Sequence, residues 1–205
     1  MSPTIDYYFA PQSPWTYLGH QRFRDIARNA GASIRVLPVD LGGKVFPVSG
    51  GLPLSKRAPQ RQAYRLQELQ RFSRWLDVPL NLQPHYFPVS GDDAARLIIA
   101  VDMKDGSEAA MSIAGAVMRA VWVEQRNIAD EATLASLLAE QSLPAARLDD
   151  AHSQAAHERY EIDTQQAIEA GVFGAPTYVI DGEIFWGQDR LDFVERRLSM
   201  DRLRK

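Results

Sequence analysis

One segment limits the fold of this chain more than any other: Thr177-Tyr-Val-Ile180, Asp181-Gly182, Glu183-Ile-Phe-Trp186. Two short runs of β-branched and aromatic residues flank an Asp-Gly pair. That pair suits a two-residue type I′ turn, in which both central residues need positive φ. The pattern predicts antiparallel strands over 177–180 and 183–186. A further strand is predicted at the opposite end, over 4–9, where Ile5, Tyr7 and Phe9 recur at period two beside another aromatic.

Between these ends the pattern changes twice. After a turn at 10–12, Ser13-Pro14 reads as an N-cap followed by proline at the first helical position, where its missing N–H costs nothing. That helix is predicted to run to Ala30 and stop at Gly31, and a second strand follows over 33–39. A glycine-rich stretch from Leu41-Gly42-Gly43 to Gly50-Gly51 marks a boundary. From about 55 to 170 the periodicity is helical. Leu66, Leu69, Ser73 and Leu76 form an inward stripe that Pro79 ends, and further helices are predicted over 94–103, 109–124, 131–140 and 150–170, the last closing at Gly171. Asp92-Asp93 reads as the cap of its helix. An amphipathic helix over 189–200 completes the chain. Strand-helix-strand, a helical block, then hairpin and helix predict an α/β core, residues 1–45 plus 171–205, interrupted by an all-helical insertion over 46–170.

Composition narrows the chemistry. The chain has 205 residues and no cysteine, so disulfides, thiolate metal sites and a protein dithiol are all excluded. Any thiol chemistry must use a borrowed thiol. A net charge of -3 gives no general attraction to phosphate backbones or anionic lipid, so neither nucleic acid nor a membrane is an expected partner. With no secretory signal and no long apolar run, the expected location is cytoplasmic. His152 and His157 are five apart, His20 and His85 are isolated, and no metal site is expected.

Ser13 stands where a strand gives way to a helix, among unpaired backbone N–H groups at the positive end of a helix dipole, an environment that favours an anion. Read locally it is a simple cap, and only wider context gives it more than that. In Gly171-Val-Phe-Gly-Ala-Pro-Thr177 the Ala175-Pro176 bond fits either isomer.

The segments Tyr7-Tyr-Phe-Ala-Pro-Gln-Ser-Pro-Trp-Thr-Tyr-Leu-Gly19, Gly171-Val-Phe-Gly-Ala-Pro-Thr177 and Phe185-Trp-Gly-Gln-Asp-Arg-Leu191, in that order, resemble the 2-hydroxychromene-2-carboxylate isomerases. These are relatives of kappa-class glutathione transferases and, further off, of disulfide oxidases with a thioredoxin core. Pro59, Arg61, Tyr64 and Arg71 extend the resemblance weakly into the insertion.

The resemblance implies a thioredoxin-like core, a homodimer and glutathione as cofactor. Ser13 would hydrogen-bond the glutathione sulfur, Ala175 before a cis Pro176 would pair with the cysteinyl backbone, and Trp186, Gly187, Gln188 and Asp189 would hold the γ-glutamyl end. Asp189 also reads as a cap on the last helix, and Trp186 as a core aromatic. Lys44, Lys56, Arg57 and Tyr86 fall near the family's substrate-contacting region, where a cation would meet a carboxylate. Lys56, Arg57, Arg61, Arg65, Arg71 and Arg74 otherwise read as a mostly solvated face with one or two turned inward. The sequence departs from the family pattern at Gln188, where members usually carry Asn, and in having no Asn between Asn29 and Asn81.

The implied activity is glutathione-dependent cis-trans isomerisation of an aromatic carboxylate in naphthalene-type breakdown. A transferase that conjugates an electrophile, and a non-catalytic glutathione- or peptide-binding module, are the alternatives. Conjugation consumes free thiol and isomerisation does not, while a mere binder leaves the thiol pKa unchanged.

Overall fold

The computed structural model describes residues 2–203. Residue 1 and residues 204–205, the outer ends of the expected core segments, lie outside the described residues. The chain begins with β1 (Thr4–Phe9), α1 (Pro14–Ala30) and β2 (Ser33–Pro38). The helical stretch holds α2 (Phe46–Ser49), α3 (Pro59–Leu76), α4 (Asp92–Asp105), α5 (Ser107–Trp122), α6 (Glu131–Glu140), α7 (Arg147–Ala151) and α8 (Gln154–Glu169). It ends with β3 (Thr177–Ile180), β4 (Glu183–Trp186) and α9 (Leu191–Leu203).

The four strands lie in the order β2-β1-β3-β4. β1 and β2 are parallel, with Phe9 opposite Pro38, and α1 makes the crossover between them. β3 runs antiparallel to β1 and to β4. Ile180 pairs with Glu183, leaving Asp181 (φ 49°) and Gly182 (φ 83°) as the two-residue turn, with the positive φ values expected of Asp-Gly.

The period-two pattern of β1 decides what covers the sheet. Ile5, Tyr7 and Phe9 face one cluster with Phe23 of α1, Tyr178 of β3 and the apolar sides of α4 and α5, including Leu97, Ile98, Met111 and Trp122. Tyr7 stacks on Tyr178 with ring centroids 5.5 Å apart. Tyr8, Leu37 and Val179 face the other way, onto Ala167 of α8. The sheet and the helical stretch therefore share one core.

Cap chemistry sets the ends of α1. Ser13 accepts from the Thr16 N–H at 3.3 Å, and Gly31 (φ 62°) returns its N–H to Ala27 and Arg28.

Several boundaries differ from the sequence reading. The glycine-rich stretch is wound into a wide π-helical turn, Leu41–Val45, running into α2; the Asp40 carboxylate, accepting from Gly43 N–H at 2.7 Å, starts it. The helix expected to end at Pro79 stops at Leu76, because Asp77 turns left-handed (φ 53°), and residues 79–91 are not helical. Asp92-Asp93 is not the cap: Gly91 holds that position, and both carboxylates sit inside the first turn of α4, where the helix dipole favours them. The single helix expected over 150–170 is two, since Ser153 caps a new start by accepting from Ala156 N–H at 3.2 Å. The last helix follows a 3₁₀ turn, Gln188–Arg190, so Asp189 lies within that turn and pairs with Arg190 rather than capping.

Candidate active site

The β1–α1 turn delivers Ser13 to the edge of a cleft of about 670 Å³. Ser13 has ordinary extended dihedrals (φ -77°, ψ 125°), and its oxygen accepts from Thr16 N–H. Among the described residues no group accepts the Ser13 hydroxyl proton. The hydroxyl is thus polarised by a helix N-terminus and keeps its own donor free.

Five further segments complete the cleft. The 173–175 stretch brings Phe173, Gly174 and Ala175; the Ala175-Pro176 bond is cis, and Pro176 accepts from Gly187 N–H at 2.9 Å. No described residue engages the N–H or C=O of Ala175. Trp186, half exposed, lies over Gly174, where a Cβ would stand 2.3 Å from its Nε1, and meets Phe173 edge-on at 4.8 Å. Phe46, Leu52 and Arg57 line the side formed by residues 41–58, α3 supplies Arg61 and Arg65, and Phe87 and Val89 close the back.

The electrostatics of this cleft have one sign. Arg57, Arg61 and Arg65 line it, no Asp or Glu does, and among the described residues none of the three forms an ion pair. Burial pushes the Arg65 guanidinium down to about 10, with nearby Arg57 adding to the effect; burial and then Arg61 lower Arg57. Both remain cationic at neutral pH. Arg65 lies 5.3 Å from the Phe87 ring centroid and 5.9 Å from that of Trp122, which holds its head over aromatic faces. Cations without a carboxylate partner in a cleft, two of them partly desolvated, form a site for an anion. A second hollow of about 750 Å³, between α1, α5 and α6, lacks this imbalance: its Arg24 pairs with Glu108, and its Arg119 with Glu124.

The structure brings Ser13, Ala175, Trp186 and Arg57 to the cleft. Pro176 is buried beside it. Gly187 (φ 102°) leads out of β4, Gln188 is buried against Gly19, and Asp189 is exposed in its turn. Lys44 pairs with Glu161 of α8, Lys56 is exposed, and Tyr86 packs on His85; none of these three lines the cleft. Of the mostly solvated face expected with one or two residues turned inward, Arg57 and Arg65 are the half-buried ones and Arg61 joins the wall while staying exposed. Gln12, Phe46, Phe87 and Phe173 also line it, and none carried a signal separable from packing or turn formation. His20 is no ligand. It is buried between the Tyr7 hydroxyl (3.2 Å) and the Met111 carbonyl (2.9 Å).

This arrangement, a serine at a helix N-terminus facing a cis-proline loop on a β2-β1-β3-β4 sheet, matches a known model over nearly the whole chain: residues 4–199 fit that of the DSBA-like thioredoxin domain. The chain belongs to the 2-hydroxychromene-2-carboxylate isomerase family of that fold. It is 30% identical to the 2-hydroxychromene-2-carboxylate isomerase of Sphingobium xenophagum over 97% of this chain and 99% of the relative. A solved structure of a 2-hydroxychromene-2-carboxylate isomerase superposes with a TM-score of 0.79 at 30% identity, covering 98% of this chain and 95% of the other. A shorter match, 32% identity over 83 residues, links it to glutathione S-transferase kappa 1 of Caenorhabditis elegans, covering 40% of this chain and 36% of the relative. Among the described residues no helix is long and apolar enough to cross a membrane.

Proposed function

We propose that the chain is a glutathione-dependent isomerase that interconverts 2-hydroxychromene-2-carboxylate, or a related aromatic-breakdown intermediate, with its ring-opened benzylidenepyruvate. The carrying observation is the free Ser13 hydroxyl at the α1 N-terminus, opening on a cleft whose charged lining residues are all arginines.

The residues present fit glutathione. The unengaged N–H and C=O of Ala175 suit the backbone of its cysteinyl residue, and the Ser13 proton suits its sulfur. Trp186, Gly187, Gln188 and Asp189 form the stretch assigned to the γ-glutamyl end. When bound, glutathione would supply a thiolate for reversible addition to a conjugated double bond, the chemistry that cis-trans rotation needs. Ser13 favours that thiolate. A hydrogen bond to a charged group contributes about 1.5–3 kcal/mol and a helix terminus about 0.3–1, enough to bring a thiol of pKa about 8.5 to about 7 or below. Arg57, with Arg61 beside it, meets the substrate carboxylate, and Phe46, Phe87 and Trp186 offer apolar faces to its ring. The reading extends to a cytoplasmic homodimer.

Titrating the thiolate absorbance of the glutathione complex tests this. The thiol pKa is expected to lie below that of free glutathione, and in Ser13→Ala to rise back toward it with a roughly tenfold to hundredfold loss of turnover. An unchanged titration and full turnover in Ser13→Ala would reduce Ser13 to a helix cap. The kappa-class match supports a second reading, a transferase that keeps the electrophile on the thiol. Free thiol decides between them: isomerisation leaves it constant, and conjugation consumes it.

A further inference from the structure

Gln12 precedes Ser13 and lines the same cleft, yet neither the cap nor the glutathione reading gives it a task. Its carbonyl oxygen is buried with no hydrogen-bond partner, whereas its amide nitrogen is not buried and no described residue accepts from it. Such an arrangement needs a reason, because a buried polar atom normally finds a partner.

Gly91 supplies the first half of that reason. Its backbone (φ -104°, ψ 2°) lies at negative φ in the bridge region, which residues other than glycine also occupy, so the position does not need glycine for its conformation. What glycine leaves is space: a Cβ there would stand 2.1 Å from Gln12 Oε1 and 2.7 Å from its Cδ. Gly91 is also the N-cap of α4 and gives that helix no side-chain acceptor; the Asp92 N–H goes to the Ser90 hydroxyl at 3.3 Å, and the positive end of the helix dipole lies on this side of Gln12. It is the amide oxygen that lies on the Gly91 side, where the dipole end favours it although no N–H reaches it. The amide is therefore seated oxygen-inward, which leaves its N–H donors toward the cleft.

We infer that Gln12 is a catalytic residue that donates its amide N–H to the ketone oxygen of an α-keto carboxylate substrate. The inference rests on the substrate class proposed above. Isomerisation requires the conjugated double bond to lose its character, and the electron pair it releases collects on the ketone oxygen and returns as the bond re-forms. No proton leaves the amide. A neutral donor beside Ser13 meets that oxygen while Arg57 and Arg61, on the facing wall, hold the adjacent permanent carboxylate. Donors aimed at an oxygen that gains charge during a reaction accelerate it, and each removed donor typically costs at least tenfold.

The test needs no glutathione. trans-Benzylidenepyruvate without the ortho hydroxyl cannot cyclise, and its absorbance moves to longer wavelength when a donor polarises its ketone. Titrated into glutathione-free protein, it is expected to bind with a red shift. Gln12→Leu should abolish the shift while weakening binding only a few-fold, since the arginines remain. Gly91→Ala, which displaces the amide, should reduce the shift in the same way. In the glutathione-loaded enzyme, Gln12→Leu should lower kcat about tenfold to a hundredfold with an unchanged thiol titration. A red shift that persists in Gln12→Leu, or binding to the native protein without a shift, would overturn the role of Gln12 alone. Failure of the probe to bind at all would overturn the proposed substrate class and this inference with it. A kcat loss accompanied by a shifted thiol titration would mean that Gln12 acts on the sulfur instead.

Discussion

His20 shows how closely a single buried polar residue is bound into this core. It is 4% exposed, and since its Nε2 faces the Met111 carbonyl, that nitrogen carries the proton and Nδ1 accepts from the Tyr7 hydroxyl. Burial, with a contribution from Arg24, pushes its pKa from 6.5 down to about 4. Above pH 6.5 the ring is neutral in folded and unfolded chains alike, and its contribution to stability is constant. As pH falls from 6.5 to about 4, the unfolded chain takes up a proton that the folded chain refuses, so stability is lost across that window, by on the order of 3 kcal/mol. Denaturant curves at pH 7 and pH 4.5 should show the native protein losing more stability than His20→Gln does. Equal losses would place the acid sensitivity in other groups. At this scale the sequence was unevenly informative. Ser13 was legible because cap chemistry and the Pro14 beside it are local. Gln12 was not, because its amide takes its direction from Gly91, in a different part of the chain. The same holds for Arg65, whose inward turn depends on Phe87 and Trp122 lying beneath it.

α3 forms the arginine wall and is lightly buried for a helix of its length. Of its described residues only Leu69 is fully buried, while Leu66, Phe72, Ser73 and Leu76 are half-buried along the stripe expected from their spacing. Phe72 meets Trp15 edge-on at 6.0 Å, tying the helix to the start of α1. Leu69→Ala should therefore cost about 2–5 kcal/mol and, by loosening the helix that carries Arg61 and Arg65, also weaken binding of the keto-carboxylate probe. If stability falls while probe affinity does not, the wall is held by Arg65 over its two rings and by Phe72 rather than by the buried leucine. Periodicity made the stripe of α3 readable and placed α6 at 131–140, but it does not mark where a helix stops and starts again. Ser153 and Asp77 end one run and begin another through side-chain capping and a left-handed backbone, signals that weigh little against a continuing apolar pattern. Residues 41–49 read only as a boundary, since their glycine content gives no sign of the helical turn that Asp40 starts.

Across the whole molecule, the order of elements followed from local patterns, as did the hairpin that fixes β3 against β4. Which surfaces cover one another did not, because an apolar face announces that it is buried without naming its partner. The core joins Ile5, Tyr7 and Phe9 of β1 to Leu97 and Ile98 of α4 and to Met111, Val117 and Met118 of α5 in one continuous cluster. Neither the sheet nor the helical stretch buries those residues by itself, so removing one exposes the apolar face of the other. The two are expected to unfold together. Far-ultraviolet circular dichroism reports chiefly on the helices, and fluorescence includes Trp122, fully buried where α5 meets the core. Both should trace one urea transition with a common midpoint and slope. Ile5→Val in the sheet and Val117→Ala in α5 should each lower that shared midpoint, by about 0.5–1.5 kcal/mol for the first and more for the second if its cavity does not collapse, without separating the probes. A variant in which circular dichroism and fluorescence part company would show that the helical stretch has stability of its own, and the shared core would then be an interface between two folding units.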